Sequence, residues 1–247
     1  MTDASPAPGP LFREIGQAQA ERRYVLKSLR PLAIAVTGVL AVRVGLSIAE
    51  AVGVAMRLRV LDAARAGQFA SRDALVAAAG SGDRLVAATA FLTLAALLVA
   101  YVLGGMWIYR AAANVRALGA RGLETSPGWA VGWFAVPFMS MFKPLMAMSE
   151  IWRASVSPIG WRGRSTPPLL GLWWAGWLLS NLGGAAVNSL SRGAVTVDNL
   201  LVVNEVGFGS LVVDGVATGL FLAVVWGVTR AQSVSRNAAA QVAETFA

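Results

Sequence analysis

Five side chains able to form ion pairs or strong hydrogen bonds lie inside long apolar runs: Arg43, Glu50, Thr93, Asn181 and Asp214. In hydrocarbon a lone charge costs about 2.5–3.5 kcal/mol on insertion scales, so such groups are expected to find one another. With each run's midpoint as its centre and about 1.5 Å of rise per residue, Arg43 falls at mid-depth. Asn181 then lies about 3 Å toward one side, Asp214 about 6 Å and Glu50 about 10 Å. Thr93 shares that layer. The expectation is that Arg43 meets Asp214, with Glu50 as the second choice, and that Asn181 and Thr93 complete the network. Its chemistry is that of a structural clamp or of an ion path.

Other chemistry is thin. The chain has no Cys and no His. That removes Cys/His zinc sites, haem His ligation, thiol chemistry and Ser-His-Asp triads. Its 13 carboxylates form no intramembrane pair at metal-ligand spacing, and no nucleophile-base motif is present. Gly104 and Gly105 do not make a phosphate loop. Gly183-Gly184 and Gly215/Gly219 read instead as close helix packing. A non-catalytic protein without cofactor or metal is therefore expected.

The elements that must hold the five residues are apolar helices. Hydrophobic residues make up 56% of the chain and charged ones 14%, against about 25% charged in a soluble domain; mean hydropathy is +0.61. Runs at 31–56, 85–109, 167–191 and 206–229 each exceed the roughly 20 residues that span about 30 Å of hydrocarbon. A lone segment in lipid must satisfy its own backbone hydrogen bonds, so these runs should be helices. The fold class expected is all-α: a membrane bundle of four transmembrane helices plus a Pro-broken re-entrant or interfacial hairpin at 129–152. That hairpin is too short before Lys143, carries Gly132 and Pro137, and should bend near Pro137. Residues 1–10 read as a disordered tail, 11–30 as an interfacial helix, 31–230 as the membrane domain and 231–247 as a cytoplasmic tail that extends the last helix. Between the first two runs, Ser71 could cap a short helix ended by Gly80-Ser81-Gly82, with Asp83 capping the second span and Thr166 the third.

Basic residues set the orientation. With four spans and both termini inside, most of the 21 Lys and Arg residues fall on the inner side. Arg57, Arg59, Arg65, Arg72, Arg84 and Arg192 remain outside. A fifth full span makes the split nearly even, so four are favoured. The net charge of +8 is then that of inner-leaflet loops rather than of a nucleic-acid binder. The nine tryptophans all fall near the inner face in this arrangement, where indole rings favour the headgroup region.

The most specific stretch runs from 107 to 155: WIYRAAANVRALGARGLETSPGWAVGWFAVPFMSMFKPLMAMSEIWRAS. Trp107, Tyr109, Arg110, Asn114 and Gly119 open it. Ser126, Pro127, Trp129, Trp133, Pro137 and Pro144 follow, then Glu150, Ile151, Trp152 and Ser155. This pattern resembles domain-of-unknown-function family 4328, a group of uncharacterised bacterial polytopic membrane proteins. The resemblance covers most of residues 30–236. It implies a multi-pass membrane protein and no particular activity. Within the stretch, Arg116 and Arg153 are expected to partner Glu124 and Glu150.

The expected partners are the lipid bilayer and a protein partner or further copies of the chain; no nucleic acid is expected. The expected location is the inner (cell) membrane, multi-pass, with both termini cytoplasmic. The functional expectation is a scaffold or accessory protein with a Trp/Arg-rich cytoplasmic cap. The alternative is a small transporter or channel using the intramembrane cluster.

Overall fold

The computed structural model describes residues 24–193 and 196–245. Every regular element among them is helical. The α-helices are α1 (Arg30–Arg65), α2 (Arg72–Ala117), α3 (Pro127–Gly132), α4 (Lys143–Val156), α5 (Pro168–Ser191) and α6 (Val197–Thr245). Short 3-10 turns lie at Trp133–Ala135, Met139–Met141 and Trp161–Gly163. Three helices, α1, α2 and α6, contain stretches long and apolar enough to cross a membrane. Helix α5 has 24 residues and is not among these three.

The helices overrun the apolar runs that predict them. Helix α1 continues nine residues past Met56 to Arg65, and α2 begins at Arg72 rather than near Leu85. The expected break at Gly80-Ser81-Gly82 is absent. Ser71 does cap a helix, accepting from Ala74 N at 3.2 Å, but that helix is α2 itself. Asp83 lies inside it and pairs with Arg57 at 2.7 Å. The reason is packing. A Cβ on Gly82 would stand 3.0 Å from the Gly53 carbonyl, and one on Gly53 would stand 2.8 Å from Val86 Cγ2. Two helix backbones nearly touch here, so glycine serves contact rather than chain reversal. Thr166 is likewise not the cap of α5; Pro167 occupies that position without a side-chain hydrogen bond. The expected interfacial helix at 11–30 lies largely outside the described residues, as does the tail at 1–10, and residues 24–28 are irregular.

Contacts divide the chain into two compact units. One comprises Pro31–Met106 and Pro167–Trp226. In it α1 meets α2 at the glycine contact and meets α6 where Trp226 Nε1 donates to Thr37 Oγ1 at 3.1 Å. Helix α6 meets α5 through Gly176 against Ala217 and through the stacked rings of Trp173 and Phe221. Its outward side chains are apolar: Phe91, Leu94, Leu98, Leu172, Leu179 and Leu182 are all exposed. Water would penalise such a surface, and lipid would not.

The other unit comprises Met1–Arg30, Trp107–Thr166 and Gly227–Ala247. Its core includes Trp107, Ala111, Met148, Ile151 and Ala154. Helix α2 ends here with Gly119 N bonded to the Arg116 carbonyl and Ala120 N to the Val115 carbonyl, both at 3.0 Å. Gly119 has φ +91°, the left-handed geometry that closes helix ends and favours glycine. Ala120 and Val115 then share an apolar cluster with Ala154 and Trp161. After α3 the chain breaks across Val136–Phe142. Pro137 cannot donate, Phe138 takes φ +60°, and Pro144 starts α4 from its first turn. The bend falls where Pro137 predicts it.

Candidate functional site

Arg43 and Asp214 come together. Arg43 sits on α1 within its apolar stretch, and Asp214 faces it from α6. One guanidinium nitrogen donates to Asp214 Oδ2 and to Thr218 Oγ1, the latter at 2.9 Å. Asp214 and Thr218 are one turn apart, so they share a face of α6. Ser180 on α5 donates to Asp214 Oδ1 at 3.0 Å, and Ser210 Oγ approaches the Ser180 carbonyl at 3.5 Å. The side chains of Arg43 and Asp214 are 12% and 25% exposed. A buried charge pair tolerates desolvation when its remaining hydrogen-bond positions are filled, and here two hydroxyls help to fill them.

The rest of the expected cluster is arranged differently. Asn181 is exposed, and its amide donates back to the Trp177 carbonyl at 2.7 Å. Depth along the axis is right for contact, but each residue turns the helix by about 100°. Ser180, one position earlier, faces Asp214 instead. Glu50 is half-buried on α1, and the carboxylate that pairs with Arg43 is that of Asp214. The Thr93 hydroxyl is buried without a hydrogen-bond partner among the described residues. Ser180 and Thr218 escape sequence reasoning, because hydroxyls are too common in apolar helices to stand out.

A second polar constellation holds the unit that contains residues 107–166. Asn114, Ser155 and Gln232 are all buried. Asn114 Nδ2 donates to Gln232 Oε1 at 2.9 Å and to the Lys27 carbonyl at 2.7 Å. Its Oδ1 accepts from Lys27 N at 3.1 Å. Gln232 Nε2 donates to Ser155 Oγ at 2.9 Å and to the Ala111 carbonyl at 3.0 Å. Four chain segments thus meet in one satisfied network, the kind that specifies a single arrangement. Gln232 lies in what reads from sequence as a tail, and no pattern marks it as inward-facing.

Most motif residues are placed around this network. Trp107 Nε1 donates to Thr229 Oγ1 at 3.2 Å. Glu150 is buried and accepts from the amides of Glu124 and Thr125 at 2.9 and 3.1 Å. Arg153, expected beside a carboxylate, instead donates to the Ser149 carbonyl and lies 5.0 Å from the Trp161 ring centroid. A buried carboxylate aimed at two amides has no need of that guanidinium. Arg116 donates to the carbonyls of Ala112 and Thr125. Ser126 accepts from Trp129 N, and Pro127 follows in the first turn of α3. Trp129 stacks on Trp133. Trp152 closes on Gly227, where a Cβ would stand 2.4 Å from the indole. Pro137 marks the break, while Tyr109 is exposed and Arg110 half-buried.

No curated protein and no solved structure matches the chain. A family match covers residues 70–230, a span that contains the whole Trp107–Ser155 motif together with Ser180 and Asp214. On that extent of similarity, the chain belongs to the family described as Domain of unknown function (DUF4328).

Proposed function

We propose that the chain is a non-catalytic, four-span protein of a bacterial inner membrane, acting as a scaffold or accessory protein. Helix α5 serves as the fourth span beside α1, α2 and α6. Both termini are cytoplasmic, and the broken segment at 129–152 is a re-entrant or interfacial hairpin. The observation that carries this reading is the locked unit around Asn114, Ser155 and Gln232. Its polar core is satisfied internally, which suits a fixed surface presented to a partner protein. Site-specific photocrosslinking from Tyr109 and Trp129, followed by purification from native membranes, tests it. A single recurrent partner is expected. A chain that crosslinks to no protein from either position would overturn the scaffold reading.

The Arg43–Asp214 pair supports a second reading, a small transporter or channel, because ionisable groups at depth mark ion paths in many membrane proteins. Flux in proteoliposomes that disappears in Asp214→Asn would favour it over the scaffold.

A further inference from the structure

Helix α4 has two unlike faces. Pro144, Ala147, Met148, Ile151, Ala154 and Ser155 are buried. On the opposite side Phe142, Met146 and Val156 are exposed. With Ser149 and Arg153 they follow the spacing of four, three, four and three residues that keeps side chains on one helix face. Beyond the helix end, Ile159 extends this apolar line and is 95% exposed.

Cations lie within the line and beyond its ends. Lys143 lies 5.8 Å from the Trp133 ring centroid, and Arg153 and Arg162 each lie 5.0 Å from that of Trp161. Arg162 also donates to the Gly122 carbonyl at 2.7 Å. Ion pairs among the described residues include Arg43–Asp214, Arg57–Asp83 and Arg65–Asp198, and none involves the cations of this line. Among the described residues, Lys143, Arg153, Arg162 and Arg164 have no carboxylate within ion-pair distance. Cations held by aromatic rings and carbonyls keep their charge available to an outside anion.

We propose that the outward line of α4 lies flat on anionic lipid headgroups, with Phe142, Met146, Val156 and Ile159 at the acyl boundary. Lys143, Arg153, Arg162 and Arg164 bind the headgroup phosphates. Exposed apolar side chains accompanied by Lys and Arg are the pattern of a helix in the plane of a membrane surface. A second copy fits poorly, because a two-fold contact would bring the same cations against each other. A partner protein fits less well than lipid, since interface centres are depleted in charge. The inference rests on the membrane placement proposed above, and it commits the hairpin's second arm to the surface.

The test uses the full chain, which lacks cysteine, in nanodiscs. Single spin labels go at Met146→Cys, Val156→Cys and Ile159→Cys, with Phe91→Cys on α2 and Glu124→Cys as references. In discs containing phosphatidylglycerol, the three α4 labels should show severalfold lower accessibility to a water-soluble nickel complex than position 124. In discs of phosphatidylcholine alone, or with Arg162→Gln and Arg164→Gln together, that protection should fall severalfold. Labels at 146, 156 and 159 that are as accessible as position 124, while position 91 is immersed in the acyl region, would overturn the proposal and leave the membrane reading intact. If position 91 is also water-accessible, both fail. Protection that is equal without the anionic lipid, or accompanied by spin–spin broadening between copies, would also overturn it.

Discussion

Arg43 holds partners on one neighbouring helix and, through Asp214, reaches a third. The pair was legible in the sequence because two charges in apolar runs at similar depth have few other ways to be neutralised. Ser180 was not legible in place of Asn181, since depth follows from counting residues whereas the direction a side chain faces depends on helix rotation about its axis. Replacing Arg43 by Leu strands Asp214, a change that costs about 3–5 kcal/mol in buried pairs. Arg43→Leu with Asp214→Leu removes both charges and is expected to be markedly more stable than Arg43→Leu alone. Thermal unfolding of the purified protein in detergent, compared across the two single variants and the double, checks the order. Equal losses in Arg43→Leu and in the double would mean that the charge pair is not the origin of the effect.

At the scale of elements, the same residue type carried opposite meanings. Gly80-Ser81-Gly82 reads as a helix stop when the surroundings are taken to be water. Against another helix it is a point of contact, and nothing local distinguishes the two. Gly82→Leu places a side chain where the Gly53 carbonyl stands 3.0 Å from the Cβ position. It is expected to destabilise by about 1–3 kcal/mol, as overpacking does. Gly45→Leu, at an exposed position where a Cβ meets nothing within 4 Å, should be nearly neutral by the same unfolding measurement. The break at Val136–Phe142 was more legible, because proline's missing N–H acts whatever the surroundings. The anchoring of α6 was not, since Gln232 is one polar residue among several in an alanine-rich stretch. Gln232→Leu removes three buried hydrogen bonds, to Ser155 Oγ, to the Ala111 carbonyl and from Asn114 Nδ2, and is expected to cost about 1–3 kcal/mol. Faster tryptic cleavage at Arg230 and Arg236 than in the parent chain should report it.

For the whole molecule, composition was enough to indicate helices long and apolar enough to cross a membrane, because a charge deficit and long apolar runs leave few alternatives. The division into two contact units was not visible, since α2 and α6 each belong to both and no linker marks a boundary. The proposed orientation makes a direct prediction. Gln68→Cys and Arg192→Cys should react with an impermeant maleimide added from outside intact cells. Glu124→Cys and Asn237→Cys should react only after permeabilisation. Labelling of positions 124 and 237 from opposite sides would refute the four-span arrangement.

The two halves of the central ion pair are separated by 171 positions in the chain. At about 5–20 residues added per second during synthesis, roughly 10–30 s pass between the appearance of Arg43 and that of Asp214. On the proposed topology, Arg43 waits in a membrane that does not yet contain its counter-charge. The unfinished protein is then expected to be exposed to quality control until α6 arrives. A chain stopped before Val197 should be degraded faster than the complete one, and Arg43→Leu should lengthen the lifetime of that truncated chain in a pulse-chase measurement while shortening that of the full-length protein.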